Sequence, residues 1–308
     1  MEMGEDCVMN IAVTGATGFI GARLVRNLLQ GGHGVHALGR KRSPGLPQAV
    51  RFSEWRSTEG EPPSESLATA DAVIHLAGEP VAQRWTPEVE QRIRSTRVDG
   101  TQNLVNALSK QSHRPQVLVC ASAIGYYGSR ADEVLTETSN PGRDFLAQVV
   151  VDWEQAAGKA GSLGIRVVSL RFGMVLGKDG GALAKMLPPF RLGLGGRLAS
   201  GQQWMSWIHV DDVVGLIRFA LENSAVRGPM NATAPQPVTN AEFTKELAAA
   251  LHRPAIFPVP RFALKLLFGE MAEVILGSQR VLPQAAQSAG FRFQYPELGP
   301  AMARLLSE

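Results

Sequence analysis

The sequence predicts an α/β fold in which a doubly wound parallel sheet precedes a smaller C-terminal α+β lobe. Short apolar runs alternate with longer helical patterns through the first half of the chain, and a glycine-rich turn joins the first run to the first helix. Strands separated by helices form βαβ units, and right-handed crossovers leave few topologies for them. After Gly173, glycine and proline become frequent, which indicates that the regular alternation of strands and helices ends and the smaller lobe begins.

The boundaries of the elements follow from this alternation. The predicted strands cover residues 10–13, 34–38, 72–76, 117–121 and 166–171, and the predicted helices cover 21–30, 88–110 and 145–160. We therefore expect a large domain at 9–175 and a smaller lobe at 176–308, with helix 211–222 returning to the large domain. Residues 1–8 receive no function.

Composition and charge exclude several classes of protein. The chain has 308 residues, of which 44% are hydrophobic and 19% charged, and its formal net charge is +3. This small excess of basic residues is scattered along the chain, so it does not indicate nucleic-acid binding, which usually needs a clustered basic face. No apolar run approaches the roughly 20 residues of a membrane span, and neither Cys7 nor Cys120 has metal-ligand spacing. With a polar N-terminus and two cysteines, we expect a cytoplasmic protein without metal, membrane or nucleic-acid partners.

The turn after the first strand has the spacing of a dinucleotide-binding loop in a Rossmann domain. Gly15 allows a tight turn, Gly18 lets the backbone approach a pyrophosphate, and Gly21 lets the helix pack closely on the strand. The helix start adds free N–H groups and partial positive charge. The expected cofactor contacts in this loop are Gly15, Thr17, Gly18, Phe19, Ile20 and Gly21. The alternative is a structural turn, because glycine-rich turns are common.

The end of the second strand favours NADP(H) over NAD(H). Gly39 is followed by Arg40, Lys41 and Arg42, where NAD-binding proteins usually place an acidic residue that accepts from the ribose 2′-OH. Arg40 can present a planar fork to a 2′-phosphate, and Lys41 or Arg42 can add charge. The alternative is a solvated basic turn.

The next strand ends in small residues. Leu76, Ala77 and Gly78 let the chain pass beside a cofactor. His75 lies within an apolar run, and we interpret it as a buried histidine with a local partner rather than a catalytic group.

Together these motifs resemble the extended short-chain dehydrogenase/reductase superfamily, the NAD(P)-dependent epimerase/dehydratase group. The resemblance rests on residues 14–21, 75–78, 98–104, 121–123 and 207–213. Residues 121–128, 153–154, 171–177 and 277–283 are similar to an atypical subgroup, described as epimerase family, NADP-dependent oxidoreductase or cell-division-inhibitor-like proteins. The resemblance covers residues 10–306.

The resemblance implies further cofactor contacts. Arg97 stands where the superfamily often has Asn, and it is expected to reach the pyrophosphate, with Arg92 as a weaker candidate. Ala121 and Gly173 complete the expected set, Gly173 near the nicotinamide.

The usual catalytic residues of the superfamily are incomplete. Ser122 fills the serine position, but no Tyr-x-x-x-Lys occurs in the chain, and Leu146 and Val150 stand where the Tyr and Lys belong. Tyr126 and Tyr127, just after Ser122, are the candidates for the missing proton donor, with packing as the alternative role of either; Tyr126 is the one chosen. Ser122 and Tyr126 are therefore the predicted catalytic residues.

Two functions remain open at this stage. The first is an NADP(H)-dependent oxidoreductase or epimerase acting on a small carbonyl, alcohol or sugar-nucleotide-like substrate. The second is a catalytically inactive NADP(H)-binding sensor or scaffold, since a fold does not fix a function. The resemblance also allows a homodimer through helices 88–110 and 145–160, in which residues 149–151 face either the partner or the core.

Overall fold

The computed structural model describes residues 8–307, and a parallel sheet organises most of them. The strands are β1 (Asn10–Thr14), β2 (Gly34–Gly39), β3 (Arg51–Glu54), β4 (Ala72–His75), β5 (Val117–Ala123), β6 (Val134–Leu135), β7 (Arg166–Phe172), β8 (Met174–Gly177), β9 (Trp204–Met205), β10 (Trp207–His209), β11 (Gly228–Ala232), β12 (Val238–Thr239) and β13 (Arg280–Val281). The helices are α1 (Phe19–Gln30), α2 (Pro87–Ser109), α3 (Phe145–Gly158), α4 (Gly181–Arg191), α5 (Val210–Glu222), α6 (Asn240–Ala250), α7 (Arg261–Phe268), α8 (Met271–Leu276), α9 (Gln284–Ser288) and α10 (Leu298–Ser307).

The central sheet has seven parallel strands in the order β11-β7-β5-β4-β1-β2-β3 within the described residues. The chain runs outward from β1 through β2 to β3 and then returns to β4 on the other side of β1. Ligands of doubly wound sheets bind at such a switch point, beyond the carboxyl ends of the strands. The predicted doubly wound parallel sheet is confirmed.

Alternate side chains of each strand supply the two cores beside the sheet, as the period of two residues requires. Ile11 and Val13 of β1 pack into one core with α1 and α5. Ala12 packs into the other core, which contains Leu104 of α2 and Trp153 of α3. Helix α5 thus lies on the large sheet, together with α1.

Two edge strands were not anticipated from the sequence. Strand β3 is short and largely polar, so it lacks an apolar run. Strand β11 begins the segment that contains Pro229, Pro235 and Pro237, within the predicted smaller lobe, yet it lies at the edge of the large sheet with Met230 buried in its core. Pro229 is exposed there, and an edge strand tolerates a residue that cannot donate a ladder hydrogen bond. A division of the chain at residue 175 stays a prediction.

The smaller lobe has its own apolar core. Leu183 and Leu187 of α4 pack with Phe243 of α6 and Met302 of α10. Strand β13 pairs with β6, and this pairing ties the C-terminal segment to the loop that follows β5. Across residues 8–307, no helix has both the length and the hydropathy that crossing a bilayer requires.

Candidate cofactor and active site

Gly15 and Gly21 are glycines for reasons internal to the protein. Gly15 has a φ of +70°, and a Cβ there would lie 2.8 Å from the carbonyl carbon of Leu76. A Cβ on Gly21 would lie 2.1 Å from the carbonyl oxygen of Gly15. These two glycines let β1, the start of α1 and the segment after β4 come together.

Gly18 differs from these two glycines, because contacts within the protein do not explain as fully why a glycine occupies this position. Its φ is −75°, which any residue adopts, and a Cβ would meet only the Gly15 carbonyl oxygen, at 3.3 Å. Gly18 is the N-cap of α1, but no side chain caps the helix and its first turn has no acidic residue. Thr17 and Gly18 are exposed, so this open cradle and its helix terminus fit a pyrophosphate.

Phe19 and Ile20 follow in the first turn of α1. The Phe19 ring packs into a turn between β8 and α4, where a Cβ on Gly177 would lie 2.3 Å from it and one on Gly180 2.4 Å. The Phe19 side chain therefore fixes this turn against the nucleotide loop, and a cofactor contact of Phe19 or Ile20 stays a prediction. The close spacing of Gly177, Gly180 and Gly181 was the sequence signal for this packing.

His75 holds the end of β4 against β1 and α2. The Thr14 hydroxyl oxygen accepts from the backbone N–H groups of Leu76 and Ala77, so its proton is free to bond Nδ1 of His75 at 2.7 Å. Nε2 of His75 lies 3.1 Å from Oγ1 of Thr101. Burial lowers the pKa of His75 to about 4, so the ring is neutral at pH 7. The interpretation as a buried histidine with local partners agrees with this geometry.

Arg40 and Lys41 project from the end of β2 and are exposed. Arg42 donates to the carbonyl oxygens of Val50 and Pro47, so its guanidinium braces its own loop. Within residues 8–307, neither Arg40 nor Lys41 forms a hydrogen bond or ion pair. The sequence-predicted pair is therefore available to an anion. A Cβ on Gly39 would lie 3.7 Å from the Phe52 ring, an ordinary contact.

Arg97 lies directly over Gly78. A Cβ on Gly78 would be 3.3 Å from Cζ of Arg97, so the glycine makes room for the guanidinium. Nη1 of Arg97 donates to the carbonyl oxygens of Glu79 and Ile93, and the guanidinium stands over the Trp153 ring. Burial lowers the pKa of Arg97 to about 10, with the Glu79 charge opposing this. In the described chain Arg97 forms no ion pair, which suits a site for a negative ligand.

Ser122 lies in a buried polar network rather than in open space. Its hydroxyl is 2.5 Å from Oε1 of Glu154 and donates to that carboxylate. Nε and Nη2 of Arg171 donate to the two oxygens of Glu154 at 2.8 and 2.7 Å. Burial alone would lower the pKa of Arg171, but its hydrogen bonds and charge interaction with Glu154 raise it above its ordinary value. The network thus holds the charged pair of Glu154 and Arg171 near the carboxyl ends of the strands.

The two tyrosines after β5 extend this network in different ways. Arg171 donates to the Tyr127 hydroxyl at 3.0 Å, which donates to Oδ1 of Asn231 at 2.7 Å. Burial raises the pKa of Tyr127 to about 12, so it stays protonated. The Tyr126 ring stacks on the Arg171 guanidinium, 3.4 Å from Cζ to the ring centroid. Tyr126 is half-buried, and its hydroxyl has no partner among the described residues.

Sequence reasoning named Ser122 and Tyr126 but missed the roles of Glu154 and Arg171. The available signal was Arg171 between the apolar residues Leu170 and Phe172 of β7, since a buried arginine is normally paired. Val150, at the expected lysine position, is buried in α3, and Leu146 packs 3.5 Å from where a Cβ of Gly125 would lie. Both positions are filled by apolar packing.

The remaining expected contacts lie at the same edge of the sheet. Ala121 is buried near the end of β5. A Cβ on Gly173 would lie 2.4 Å from the carbonyl oxygen of Ser206, so packing already explains this glycine. Whether these residues contact a cofactor stays a prediction.

Three further side chains, His209, Asp212 and Arg280, have partners within the protein. Nδ1 of His209 accepts from the backbone of Asp211 and caps α5, while Asp212 accepts from two backbone N–H groups of residues 294 and 295. The Arg280 guanidinium stands 4.4 Å over the Trp204 ring. Among residues 8–307, no cluster of three or more His, Cys, Asp or Glu side chains could hold a metal ion.

Residues 11–232 match the NAD dependent epimerase/dehydratase family, and residues 259–305 match a domain of unknown function, DUF1731. The chain belongs to the NAD dependent epimerase/dehydratase family. This membership confirms the resemblance seen in the motifs, including the atypical epimerase-family subgroup. A nicotinamide dinucleotide is the cofactor that the family's description names.

Relatives of this epimerase-family chain align over nearly its whole length. The epimerase family protein SDR39U1 homolog, chloroplastic, of Arabidopsis thaliana is 44% identical over 98% of this chain and 88% of its own. The epimerase family protein YfhF of Bacillus subtilis is 40% identical over 97% of this chain and 99% of its own. The crystal structure of human epimerase family protein SDR39U1 (isoform 2) with NADPH is 35% identical, has a TM-score of 0.86, and covers 97% of this chain and 99% of its own.

Proposed function

We propose that this chain binds NADP(H) across the carboxyl edge between β1 and β4. The turn around Gly18 would hold the pyrophosphate, Arg97 would face its charge, and Arg40 and Lys41 would bind the 2′-phosphate. The observation that carries the proposal is that Arg40 and Lys41 are exposed and form no ion pair with any residue of 8–307, whereas Arg42 donates to carbonyl oxygens of its own loop. The human relative crystallised with NADPH supports it.

We further propose an oxidoreductase or epimerase that acts on a small carbonyl, alcohol or sugar-nucleotide-like substrate. NADP(H), when bound, supplies or accepts a hydride, and the protein must then move a proton at the substrate oxygen. Tyr126 is the candidate for that proton transfer, because its hydroxyl has no partner in the described chain and its ring is held on Arg171. Ser122 donates its own proton to Glu154, so its oxygen can only accept from a substrate hydroxyl.

The activity test compares wild type with Tyr126→Phe. NADPH consumption would be followed at 340 nm with a panel of aldehydes, ketones and nucleotide sugars, after NADPH binding has been verified for both proteins. We expect at least one substrate to be turned over by wild type, and Tyr126→Phe to lower kcat by about 10² while NADPH still binds. Equal kcat values in the two proteins would remove Tyr126 from the chemistry.

A second candidate function is an NADP(H)-binding sensor without catalysis. The supporting observation is that Leu146 and Val150 fill the Tyr and Lys positions with packing, while Ser122 is engaged by Glu154. If NADPH binds tightly but no compound in the panel is reduced, the sensor is favoured over the enzyme.

A further inference from the structure

A surface groove lies in the smaller lobe between α6 and the segment 253–259. Its volume is about 540 Å³, which is within the usual range of small-molecule sites. It shares no residue with the proposed nucleotide site. Ala241, Thr244 and Ala248 of α6 form one wall, and Ala255 and Ile256 form the other. The groove is therefore lined mainly by apolar side chains.

Exposed apolar side chains are frequent in the part of the sequence that supplies the groove, and Ile256 lines the groove itself. The large hydrophobic side chains that are exposed within residues 8–307 number ten, and eight of them lie between 192 and 274, all except Val8 and Val134. Ile256, at the groove, is 71% exposed, and Phe257 beside it is 54% exposed. Ile256 is therefore an exposed apolar side chain that a ligand bound in the groove would cover.

Two cations line the same groove. Arg197 and Lys245 are exposed, and neither forms an ion pair or side-chain hydrogen bond in the part of the chain that the structure describes. By contrast, Arg261 and Lys265 of α7 both bind Glu273, at 2.6 and 2.9 Å. The groove thus combines an apolar wall with two uncompensated positive charges.

We propose that this groove binds a free single-chain amphiphile with an anionic head group, of the fatty-acid class. The chain would lie along the alanines of α6 and against Ile256, and the head group would pair with Arg197 and Lys245. A flat bilayer cannot enter a concave groove, and the nearby cations of α7 are already engaged by Glu273. A second copy of this chain, packed on the same groove, is disfavoured because it would bring the positive charges of the two copies together.

Dodecanoate is the probe, titrated into the full chain by calorimetry below its micelle concentration, with dodecyltrimethylammonium as the cationic counterpart. We expect one-site binding of dodecanoate only. The double variant Arg197→Glu/Lys245→Glu should bind dodecanoate at least about tenfold more weakly, since both charge-assisted contacts are lost. Ala255→Trp should weaken binding similarly by filling the groove. Arg26→Glu/Arg227→Glu changes the net charge equally at exposed positions elsewhere and should bind normally.

Melting temperature and NADPH binding of every variant verify the fold, and they separate this proposal from that for the nucleotide site. Absence of dodecanoate binding, equal binding of the cationic amphiphile, or unchanged affinity in the charge-reversed variant would overturn the proposal. Binding confined to phosphatidylglycerol-containing vesicles would replace the free amphiphile with a bilayer. A dimer that Ala255→Trp dissociates would replace it with a second copy.

Discussion

At the scale of single residues, the nucleotide turn contains two glycines that the fold needs and one, Gly18, for which we propose a role in ligand binding. A Cβ on Gly15 or Gly21 would collide with backbone atoms, whereas Gly18 has an ordinary φ and only one near neighbour, the Gly15 carbonyl oxygen. The glycine spacing could be read from the sequence, because each position serves local geometry. The bidentate contact between Glu154 and Arg171 could not be predicted from the sequence, because the two residues lie on different elements, α3 and β7, that meet only in the folded protein.

Gly18→Ala should therefore separate binding from stability. We expect a stability loss of no more than about 1 kcal/mol, because only the Gly15 carbonyl oxygen must give way, by a few tenths of an ångström. NADPH affinity should fall at least about tenfold, because the methyl group occupies the pyrophosphate cradle. Thermal melts with and without NADPH measure both effects.

Gly21→Ala is the matched comparison, since its Cβ would lie 2.1 Å from a backbone oxygen. It should destabilise the protein without ligand far more than Gly18→Ala does. If Gly18→Ala melts as early as Gly21→Ala, or if it binds NADPH as tightly as wild type, the division between the two glycines is wrong.

At the scale of elements, buried polar groups connect strands and helices at the carboxyl edge of the sheet. His75 and Thr14 join β4, β1 and α2, and Glu154 with Arg171 joins α3 to β7. The strands were predictable because their apolar runs are continuous. The edge strands β3 and β11 were not, because their sequences are polar or contain proline and only tertiary pairing makes them strands.

The neutral His75 should make stability depend on pH. Its pKa is about 4 in the folded protein against 6.5 for an unperturbed histidine side chain, so the unfolded chain binds the proton more readily. The stabilisation is full above pH 6.5 and is lost as pH falls toward 4. Between pH 7.5 and 4.5 we expect a loss of about 2–3 kcal/mol in wild type beyond that in His75→Gln.

Urea unfolding of both proteins across this range measures the difference. The stability advantage of wild type over His75→Gln should shrink toward acid pH. Parallel pH profiles for the two proteins would mean that His75 is not held neutral by burial.

Removing one partner of the Glu154–Arg171 pair should strongly destabilise the folded protein. The Arg171 side chain is 3% exposed and that of Glu154 16%, so Glu154→Gln leaves a buried guanidinium uncompensated. We expect a loss of about 3 kcal/mol in the free energy of unfolding.

Glu222→Gln provides the matched control, because the Arg218–Glu222 pair is exposed and should contribute less than about 1 kcal/mol. Chemical denaturation compares the two variants. Equal small losses would show that the Glu154–Arg171 pair contributes no more than a surface pair.

At the scale of the whole molecule, two lobes are joined where the C-terminal segment reaches the loop after β5. Strand β13 pairs with β6, and Gln279 donates to the carbonyl oxygens of Ile124 and Gly128 beside Tyr126. The smaller lobe thereby borders the candidate active site, which composition alone could not reveal. A homodimer through α2 and α3 stays a prediction; Val149 and Val150 are already buried within one chain.

The measurement that tests the central claim is the ratio of dissociation constants for NADH and NADPH, in wild type and in Arg40→Glu. Arg26→Glu, which changes the same charge at another exposed position, is the control. We expect NADPH to bind wild type and Arg26→Glu at least about tenfold more tightly than NADH, because Arg40 pairs with the 2′-phosphate. Arg40→Glu should abolish that preference. Equal binding of the two nucleotides by wild type, or an unchanged ratio in Arg40→Glu, would contradict the account.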